Sequence, residues 1–243
     1  MNTILEAVDA VLRTQQATGK PLSVIVAGHN GSGKSTMWRR SLADRLEMPL
    51  INADRIMLSI LPEPGEDGHL VPWAARLRDQ DTGWMRVAQQ GVQAFVGQAM
   101  LAQVPFAMET VFSYWEEQPD GRIASKLDLM TNLQAAGYFV LLVFVGLHNV
   151  VVSINRVATR VREGGHGIAI PTLRRRFPKT QKAIAAALKV ADASVLVDNS
   201  RTSDLAFTVC RVQIGPMPLF DLRRGTRRPP PVISGWLDVV APD

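Results

Sequence analysis

Nine consecutive residues near the start of the chain have the types and spacing of a phosphate-binding loop. Residues 28–36 read Gly-His-Asn-Gly-Ser-Gly-Lys-Ser-Thr, which satisfies the pattern G-x-x-x-x-G-K-[ST]. Glycines let the backbone curve so that several N–H groups point at one anion where a helix begins. In this pattern Lys34 reaches the β- and γ-phosphates, and the Ser35 hydroxyl binds Mg²⁺. The residues expected to contact ATP are Gly28, Asn30, Gly31, Ser32, Gly33, Lys34, Ser35 and Thr36.

The sequence on both sides of this loop supports the same interpretation. Residues 23–27 are apolar and β-branched, which is typical of a buried parallel strand. From residue 36 to residue 46, apolar side chains recur at helical spacing. A strand before the loop and a helix after it form the context in which the pattern predicts nucleotide binding. The alternative is a glycine-rich turn that binds no ligand.

A carboxylate follows the next apolar run. Asp54 comes directly after residues 49–53, which we predict to be the second strand. There it can accept the proton of a substrate hydroxyl and orient that hydroxyl toward a γ-phosphate. The same side chain could instead cap a short helix over residues 55–60. We predict that Asp54 is the catalytic base.

Glu109 and Thr110 end the third predicted strand in a similar way. Glu109 closes the apolar run 104–108, and a charge at that position is costly unless it is paired or faces a cleft. It could hold a substrate hydroxyl or organise Mg²⁺ through water. The alternative is an ordinary acid at a strand end, exposed to solvent.

Arginines are concentrated in one later segment. Between residues 156 and 189 there are nine Lys and Arg against one acid. Two arginine-bearing helical stretches are joined by Gly164-Gly165-His166-Gly167, an arrangement that predicts a lid closing over triphosphate, because guanidinium groups neutralise phosphoryl oxygens. A solvated helix face and a nucleic-acid patch are the alternatives, and we expect no nucleic-acid partner. The arginines concerned are Arg156, Arg160, Arg162, Arg174, Arg175 and Arg176.

Other conspicuous residues carry weaker signals. His29 is expected to face outward, and His166 is expected either to touch phosphate or to be exposed. Tyr114 and Trp115 could stack on a base or a sugar, or could cover the core edge. Cys210 is expected to be a small buried hydrophobic residue. A second basic cluster is interpreted as a solvated connector and consists of Arg223, Arg224, Arg227 and Arg228.

The predicted elements alternate between strand and helix. This order predicts an α/β P-loop NTPase or kinase fold, in which helices cover a parallel sheet and ligands bind beyond the carboxyl ends of the strands. Residues 61–72 contain three Pro and two Gly and are predicted to be a loop. The predicted strands are 22–27, 49–53, 106–109, 138–145, 194–197 and 205–213. The predicted helices are 3–18, 36–47, 81–103, 119–136, 149–162 and 171–190, with a kink or restart at Pro178.

Length and composition fit this fold. We expect one kinase domain over residues 1–243, because 243 residues with 47% hydrophobic content can build one full α/β core. Within it we predict an N-terminal helix (1–19), the lid (about 155–180) and a C-terminal extension (about 214–243). The longest apolar run is about half the roughly 20 residues that a membrane span needs. We therefore expect a cytoplasmic protein with no membrane partner.

Four stretches in this order resemble the zeta toxins, P-loop kinases that phosphorylate the 3′-hydroxyl of the amino sugar in UDP-N-acetylglucosamine. The resemblance covers about residues 20–200, and its most specific part is the lid segment 156–177. It implies binding of ATP and Mg²⁺, a sugar-nucleotide substrate and a small helical antitoxin as partner. The four stretches are residues 28–36, 51–54, 108–110 and 145–176.

The resemblance also assigns roles to residues. Lys34 and Ser35 would hold triphosphate and Mg²⁺, and Asp54 would be the base. Arg160 together with Arg174 or Arg175 would steady the γ-phosphate. Kinase activity toward another nucleotide, a dinucleotide or an antibiotic, and a nucleotide-gated module without an acceptor, remain alternatives. The expected substrate-binding residues are Asn52, Asp54, Glu109 and Thr110.

Overall fold

Apolar runs form the centre of a mostly parallel sheet. The computed structural model describes residues 3–226 and 228–242, so the outer ends of the predicted segments 1–19 and 214–243 lie outside it. The strands are β1 Leu22–Gly28, β2 Leu50–Ile51, β3 Phe106–Thr110, β4 Trp115–Glu117, β5 Ile123–Ser125, β6 Phe139–Gly146, β7 Ala193–Asp198, β8 Thr208–Ile214 and β9 Met217–Asp221.

The strand order brings three carboxyl-terminal strand ends together. Within the described residues, seven strands form one sheet in the order β2-β3-β1-β6-β7-β8-β9, and β4 and β5 form a separate hairpin. The first five strands in that order are parallel to one another, whereas β8 and β9 are added antiparallel. Every residue of β1 and β6 is buried, because helices cover both faces of the sheet. The predicted α/β fold is confirmed.

Helices form a layer on each face. On one face α1, α2 and the turn after it pack on the sheet, and on the other face α7, α9, α10 and one end of α6 do so. A π-helical turn, Trp38–Leu42, joins α2 to α3. The helices are α1 Ile4–Thr18, α2 Lys34–Met37, α3 Ala43–Leu46, α4 Ala53–Ser59, α5 Pro72–Gln80, α6 Thr82–Ala102, α7 Leu127–Ala135, α8 Val150–Arg162, α9 Ile170–Ala187 and α10 Pro231–Val240.

The prediction of one helix over residues 119–136 is wrong for the first half of that range. The chain there forms the β4–β5 hairpin, and α7 begins only at Leu127. Gly121 adopts a left-handed conformation with φ +79°, which suits a turn and not a helix. The backbone N–H of Gln118 donates to the carbonyl of Arg122 at 2.8 Å and closes that turn.

Two further predictions about helices need correction. Residues 72–80 form α5, which the analysis of the sequence did not predict; Pro72 occupies its first turn, where a missing N–H costs nothing. Pro178 does not restart a helix, since α9 continues through it from Ile170 to Ala187, and the alternative of a kink at Pro178 stays a prediction. Buried side chains on both sides of Pro178, Phe177 and Ala183 among them, hold α9 against the core.

The C-terminal part is more ordered than the expected connector. Strand β9 and helix α10 follow β8, and neither was predicted. Arg223 donates to Asp221 and to Asp238, at 2.7 Å each, so the interpretation of this cluster as solvated is wrong for Arg223. Arg227 lies outside the described residues.

Two smaller expectations can be compared with the structure. Cys210 is fully buried as predicted, and this burial raises the pKa of its thiol to about 12. Among the helices of the described ranges, none combines the length and the apolar character that a bilayer crossing requires.

Candidate active site

The loop after β1 has the shape of a phosphate cradle. Gly31 and Gly33 adopt left-handed conformations, with φ +71° and +90°. A Cβ on Gly28 would lie 2.4 Å from the carbonyl oxygen of Val145, so a larger residue does not fit there. The hydroxyl of Ser32 is buried and has no hydrogen-bond partner among the described residues. The backbone thus leaves space and polar groups for an anion at the start of α2.

Lys34 lies folded over this loop. Its Nζ donates to the carbonyls of Gly28 at 3.2 Å and His29 at 3.0 Å, and it lies 3.9 Å from Oε1 of Glu109. Burial lowers the pKa of Lys34, the carboxylates of Glu109 and Asp54 oppose that shift, and Arg160 adds to it. Lys34 is therefore a buried cation within electrostatic reach of Asp54 and Arg160. Lys34, Glu109, Asp54 and Arg160 come from four different elements of the fold.

Glu109 joins the ends of three neighbouring strands. Its carboxylate accepts hydrogen bonds from Oγ of Ser35 at 2.8 and 3.0 Å and from Nδ2 of Asn52 at 2.8 Å. Glu109 stands beside Val26 in the parallel register of β1 and β3, which places it at the foot of the loop. The alternative of an ordinary solvent-exposed acid is wrong, because the hydroxyl of Ser35, shared between the two carboxylate oxygens, and the amide of Asn52 hold the carboxylate inside the site.

Asn52, and not Asp54, caps α4. Oδ1 of Asn52 accepts hydrogen bonds from the backbone N–H groups of Asp54 at 2.8 Å and Arg55 at 3.3 Å. The alternative role of Asp54 as a helix cap is therefore wrong. Asp54 lies in the first turn of α4 with an exposed side chain, free to face a substrate.

A cleft of about 330 Å³ opens beside Asp54. Helices α4, α5 and α6 form one side, and the end of α8 with the loop that follows it forms the other. Its charged and polar lining includes Arg78, Arg160 and His166 as well as Asp54. The apolar part of the lining consists of Ala53, Met57, Leu58, Pro64, Leu70, Met85 and Ala88.

The predicted lid arginines are in different environments. Arg160 lines the cleft, its Nη2 donates to the carbonyl of His166 at 2.7 Å, and its Nε is buried without a partner among the described residues. Arg174 and Arg175 are exposed, whereas Arg176 is half-buried. The structure therefore brings Arg160 to Lys34 and Asp54, and it leaves Arg174 and Arg175 in solvent.

A polar network that the sequence analysis missed joins α5 to the lid segment. Nδ1 of His166 lies 2.7 Å from Oδ1 of Asp79. Arg78 donates two hydrogen bonds to Asp79, at 2.7 and 2.9 Å, and a third to the carbonyl of Gly164 at 2.9 Å. Arg78 and Asp79 were missed because α5 itself was not predicted, whereas His166 was noticed without its partner. Pro72 at the start of a polar helix was the available signal.

Lys126, which contacts Thr110, is a further residue that the sequence did not reveal. Nζ of Lys126 donates to Oγ1 of Thr110, and the backbone N–H of Phe112 donates to the same oxygen at 3.3 Å. Burial, together with smaller contributions from the positive charges of Arg176 and Lys34, lowers the pKa of Lys126 to about 8. Lys126 was not identified as a site residue because residues 119–136 were interpreted as a single helix.

The expectation for His29 is wrong. Its ring is buried and stacks on Phe177 of α9 at 3.9 Å, with Phe144 edge-on at 5.7 Å. Burial, with a contribution from Lys34, lowers the pKa of His29 to about 3, so the ring is neutral. Tyr114 is exposed, and Lys182 lies over the Trp115 ring, 5.4 Å from its centre.

No family model matches the chain. An uncharacterized protein of Haemophilus influenzae is 28% identical over 155 residues, which are 64% of this chain and 91% of that protein.

Several solved structures align with almost the whole chain, and they come from two different systems. One comes from the PezAT chromosomal toxin–antitoxin system of Streptococcus pneumoniae, with a TM-score of 0.53 and 12% identity over 98% of this chain and 88% of that one. The other is the AvrRxo1-ORF1:-ORF2 complex with ATP, with a TM-score of 0.59 and 13% identity over 98% of this chain and 70% of that one. At these identities the likeness shows the fold. The expected α/β P-loop NTPase or kinase fold is confirmed.

Proposed function

We propose that this chain is an ATP- and Mg²⁺-dependent kinase of zeta-toxin type. It would transfer the γ-phosphate of ATP to a sugar hydroxyl of UDP-N-acetylglucosamine, with Asp54 as the base. One observation carries the proposal: Ser35 and Asn52 both donate hydrogen bonds to the carboxylate of Glu109 beneath Lys34, and Asp54 stands next to them at the mouth of a cleft.

The residues present fit a triphosphate with its metal. The left-handed glycines and the unpartnered Ser32 hydroxyl leave a cradle for phosphate oxygens, and Lys34 supplies a buried positive charge. Ser35 and Glu109 offer the oxygen ligands that Mg²⁺ prefers, directly or through water. Bound Mg²⁺ would neutralise charge on the β- and γ-phosphate oxygens. The ATP complex of AvrRxo1, which has the same fold, supports ATP as the nucleotide.

The geometry supports a direct phosphoryl transfer. Asp54 accepts the proton of the acceptor hydroxyl, the hydroxyl oxygen forms a bond to the γ-phosphorus, and the bond from that phosphorus to the bridging oxygen breaks. ADP leaves with the bonding electron pair. Lys34 lies within electrostatic reach of both Asp54 and Arg160. The two cations, Lys34 and Arg160, therefore neutralise the charge that develops on the transferred group beside Asp54.

The acceptor would enter the cleft between α4–α6 and the predicted lid. UDP-N-acetylglucosamine is proposed from the resemblance of the sequence to zeta toxins. The PezAT structure comes from a toxin–antitoxin system, which supports a small helical antitoxin as a partner of this chain. We further propose that residues 1–243 act as one cytoplasmic kinase domain in which residues 155–180 close over ATP.

The decisive experiment is a phosphoryl-transfer assay. Purified protein is incubated with Mg-ATP and UDP-N-acetylglucosamine, and the sugar nucleotide is examined by mass spectrometry. We expect a gain of one phosphate with the wild type and none with Lys34→Ala. Asp54→Asn should bind ATP like the wild type and lose at least about 100-fold in transfer rate. Transfer by Asp54→Asn at the wild-type rate would remove Asp54 as the base.

The lining of the cleft also fits a second class of acceptor. Met57, Leu70 and Met85 give the cleft a largely apolar wall, which suits the base of any nucleotide or another flat apolar group. A kinase for another nucleotide, a dinucleotide or an antibiotic would share the same catalytic residues. If ATP binds but UDP-N-acetylglucosamine gains no phosphate, an acceptor screen that measures ADP release identifies this alternative.

A further inference from the structure

The outer side of the phosphate loop contacts the two helices that carry the predicted lid arginines. On α8, Oγ of Ser153 donates to the carbonyl of Asn30 at 2.7 Å. A Cβ on Gly31 would lie 3.2 Å from the carbonyl oxygen of Ser153 and 3.1 Å from Cβ of Arg156, so α8 packs directly on the loop. Contact with α9 is made through the ring of His29.

A stacked pair of rings joins the loop to α9. The imidazole of His29 lies 3.9 Å from the Phe177 ring with an angle of 11° between the planes, and Phe144 of β6 supports it edge-on. All three side chains are buried. Because buried rings in contact transmit displacement through close packing, a movement of the loop at His29 reaches α9.

The main chain of His29 contacts the lysine of the phosphate loop. Nζ of Lys34 donates to the carbonyl of His29 at 3.0 Å and to that of Gly28 at 3.2 Å. An ammonium group has three donors, so once two of them go to the β- and γ-phosphates, Lys34 can keep only one of these carbonyls. Nucleotide binding therefore changes the hold of Lys34 on the peptide groups of Gly28 and His29. Such an exchange of partners supplies the two-state element that coupling between sites requires.

Packing is incomplete where the loop meets α9. A narrow cavity there is lined by His29, Asn30, Phe177 and Thr180, among others, and it is too small for a water molecule. Nε2 of His29 is buried and has no hydrogen-bond partner within the part of the chain that the structure describes. A ring that borders empty space and has an unsatisfied nitrogen gives up few contacts when it shifts.

We propose that His29 is a positioning residue that couples nucleotide binding at the phosphate loop to the position of α9. A change in the hold of Lys34 shifts the peptide and the ring of His29, Phe177 follows, and α9 moves relative to the loop. Arg174 and Arg175 on α9 are exposed, and this movement is the step that brings them toward the triphosphate. The proposal rests on the proposed function in one respect, which is that ATP binds this loop.

Hydrogen exchange read by mass spectrometry tests the coupling without depending on turnover. Each protein is compared with and without saturating Mg²⁺ and a non-hydrolysable ATP analogue, after its affinity for the analogue has been measured by calorimetry. In the wild type we expect the analogue to slow exchange in residues 173–180 at least about fivefold, the lower end of typical coupling between two sites. His29→Ala should bind the analogue and lose this response.

Further variants separate the ring contact from general stability. Phe177→Leu removes the same stack from the side of α9 and should also lose the response, so it provides the test if His29→Ala does not fold. His29→Phe keeps a ring against Phe177 and should retain the response. Phe220→Leu is the matched control: the same change is made in a partly buried ring on β9, which β6, β7 and β8 separate from β1. It should retain the response.

The outcomes separate this inference from the proposed function. An unchanged response of α9 in folded His29→Ala and Phe177→Leu overturns the coupling and leaves the proposed phosphoryl transfer standing. A wild type that binds the analogue without any response in α9 also overturns it. A response that depends on His29, in a protein that transfers phosphate to no acceptor, supports the coupling while the kinase function fails. A wild type that does not bind the analogue overturns both.

Discussion

Asn52 links the helix that carries the proposed base to the carboxylate of Glu109. One side-chain amide has both functions: its Oδ1 caps α4 at the N–H groups of Asp54 and Arg55, and its Nδ2 donates to Glu109 at 2.8 Å. Since Glu109 also binds Ser35, the position of Asp54 is tied to the phosphate loop. Three strand ends are thereby held in one arrangement before a substrate binds.

Substitution of Asn52 should separate its two functions. Asn52→Ala loses the helix cap and the bond to Glu109, so we expect a loss of about 1–2 kcal/mol in the free energy of unfolding. Asn52→Asp retains a good cap but places a second carboxylate against Glu109. We therefore expect Asn52→Asp to be destabilised at neutral pH by repulsion between the two carboxylates, although its cap is intact. Urea denaturation of both variants at pH 7 measures this, and wild-type stability in Asn52→Asp would contradict it.

Asp79 should restrain the predicted lid. In Asp79→Ala the contact with Nδ1 of His166 is lost, and Arg78 loses the partner that orients it toward Gly164. We expect the backbone amides of residues 163–168 to exchange with solvent about tenfold faster, because local opening becomes easier. Hydrogen exchange read by mass spectrometry measures this. Asp120→Ala, which breaks an exposed ion pair with Arg122, is the control and should not change exchange in this segment.

His29 should make the fold sensitive to acid. The folded protein keeps its imidazole neutral down to a pKa of about 3, whereas the unfolded chain binds a proton near 6.5. Below pH 6.5 the unfolded state therefore binds more protons, and the free energy of unfolding falls toward pH 3 by about 1.4 kcal/mol per pH unit from this group.

The matched variant removes this titration. His29→Phe preserves a ring against Phe177, so its stability should fall less between pH 6.5 and pH 4 than that of the wild type. Removal of the exposed His69, as in His69→Gln, should leave the wild-type pH dependence. Parallel pH profiles for the wild type and His29→Phe would show that His29 does not carry the effect.

Gly146 should be required for the docking of α10. A Cβ at this position would lie 2.0 Å from the Trp236 ring, so Gly146→Ala must displace the indole. Overpacking of this kind costs about 1–3 kcal/mol. Gly97→Ala is the matched control, because nothing lies within 4 Å of its added Cβ and a helical Gly→Ala change adds about 0.5–1 kcal/mol. Thermal denaturation of both variants should show opposite shifts in Tm.

Several features of this protein were determined by the sequence itself. The phosphate loop depends on glycine conformations and on the start of a helix directly after it, both of which are properties of neighbouring residues. The run 138–145 is apolar at every position and the run 22–27 at every position but Ser23, which predicts strands buried on both faces. Because parallel strands end at one edge, Asp54 and Glu109 could be placed in one site from their positions after such runs.

Only the tertiary structure decided which side chains meet. Arg174, Arg175 and Arg176 are adjacent in the sequence, and the packing of α9 on the core alone turns Arg176 inward. Lys126 contacts Thr110 because a hairpin, recognisable only by its pairing, replaces half of a predicted helix. The bonds from Asn52 to Glu109 and from Asp79 to His166 join residues 57 and 87 positions apart. Local preferences encode loops and strands, whereas contacts over such separations exist only after the elements have packed.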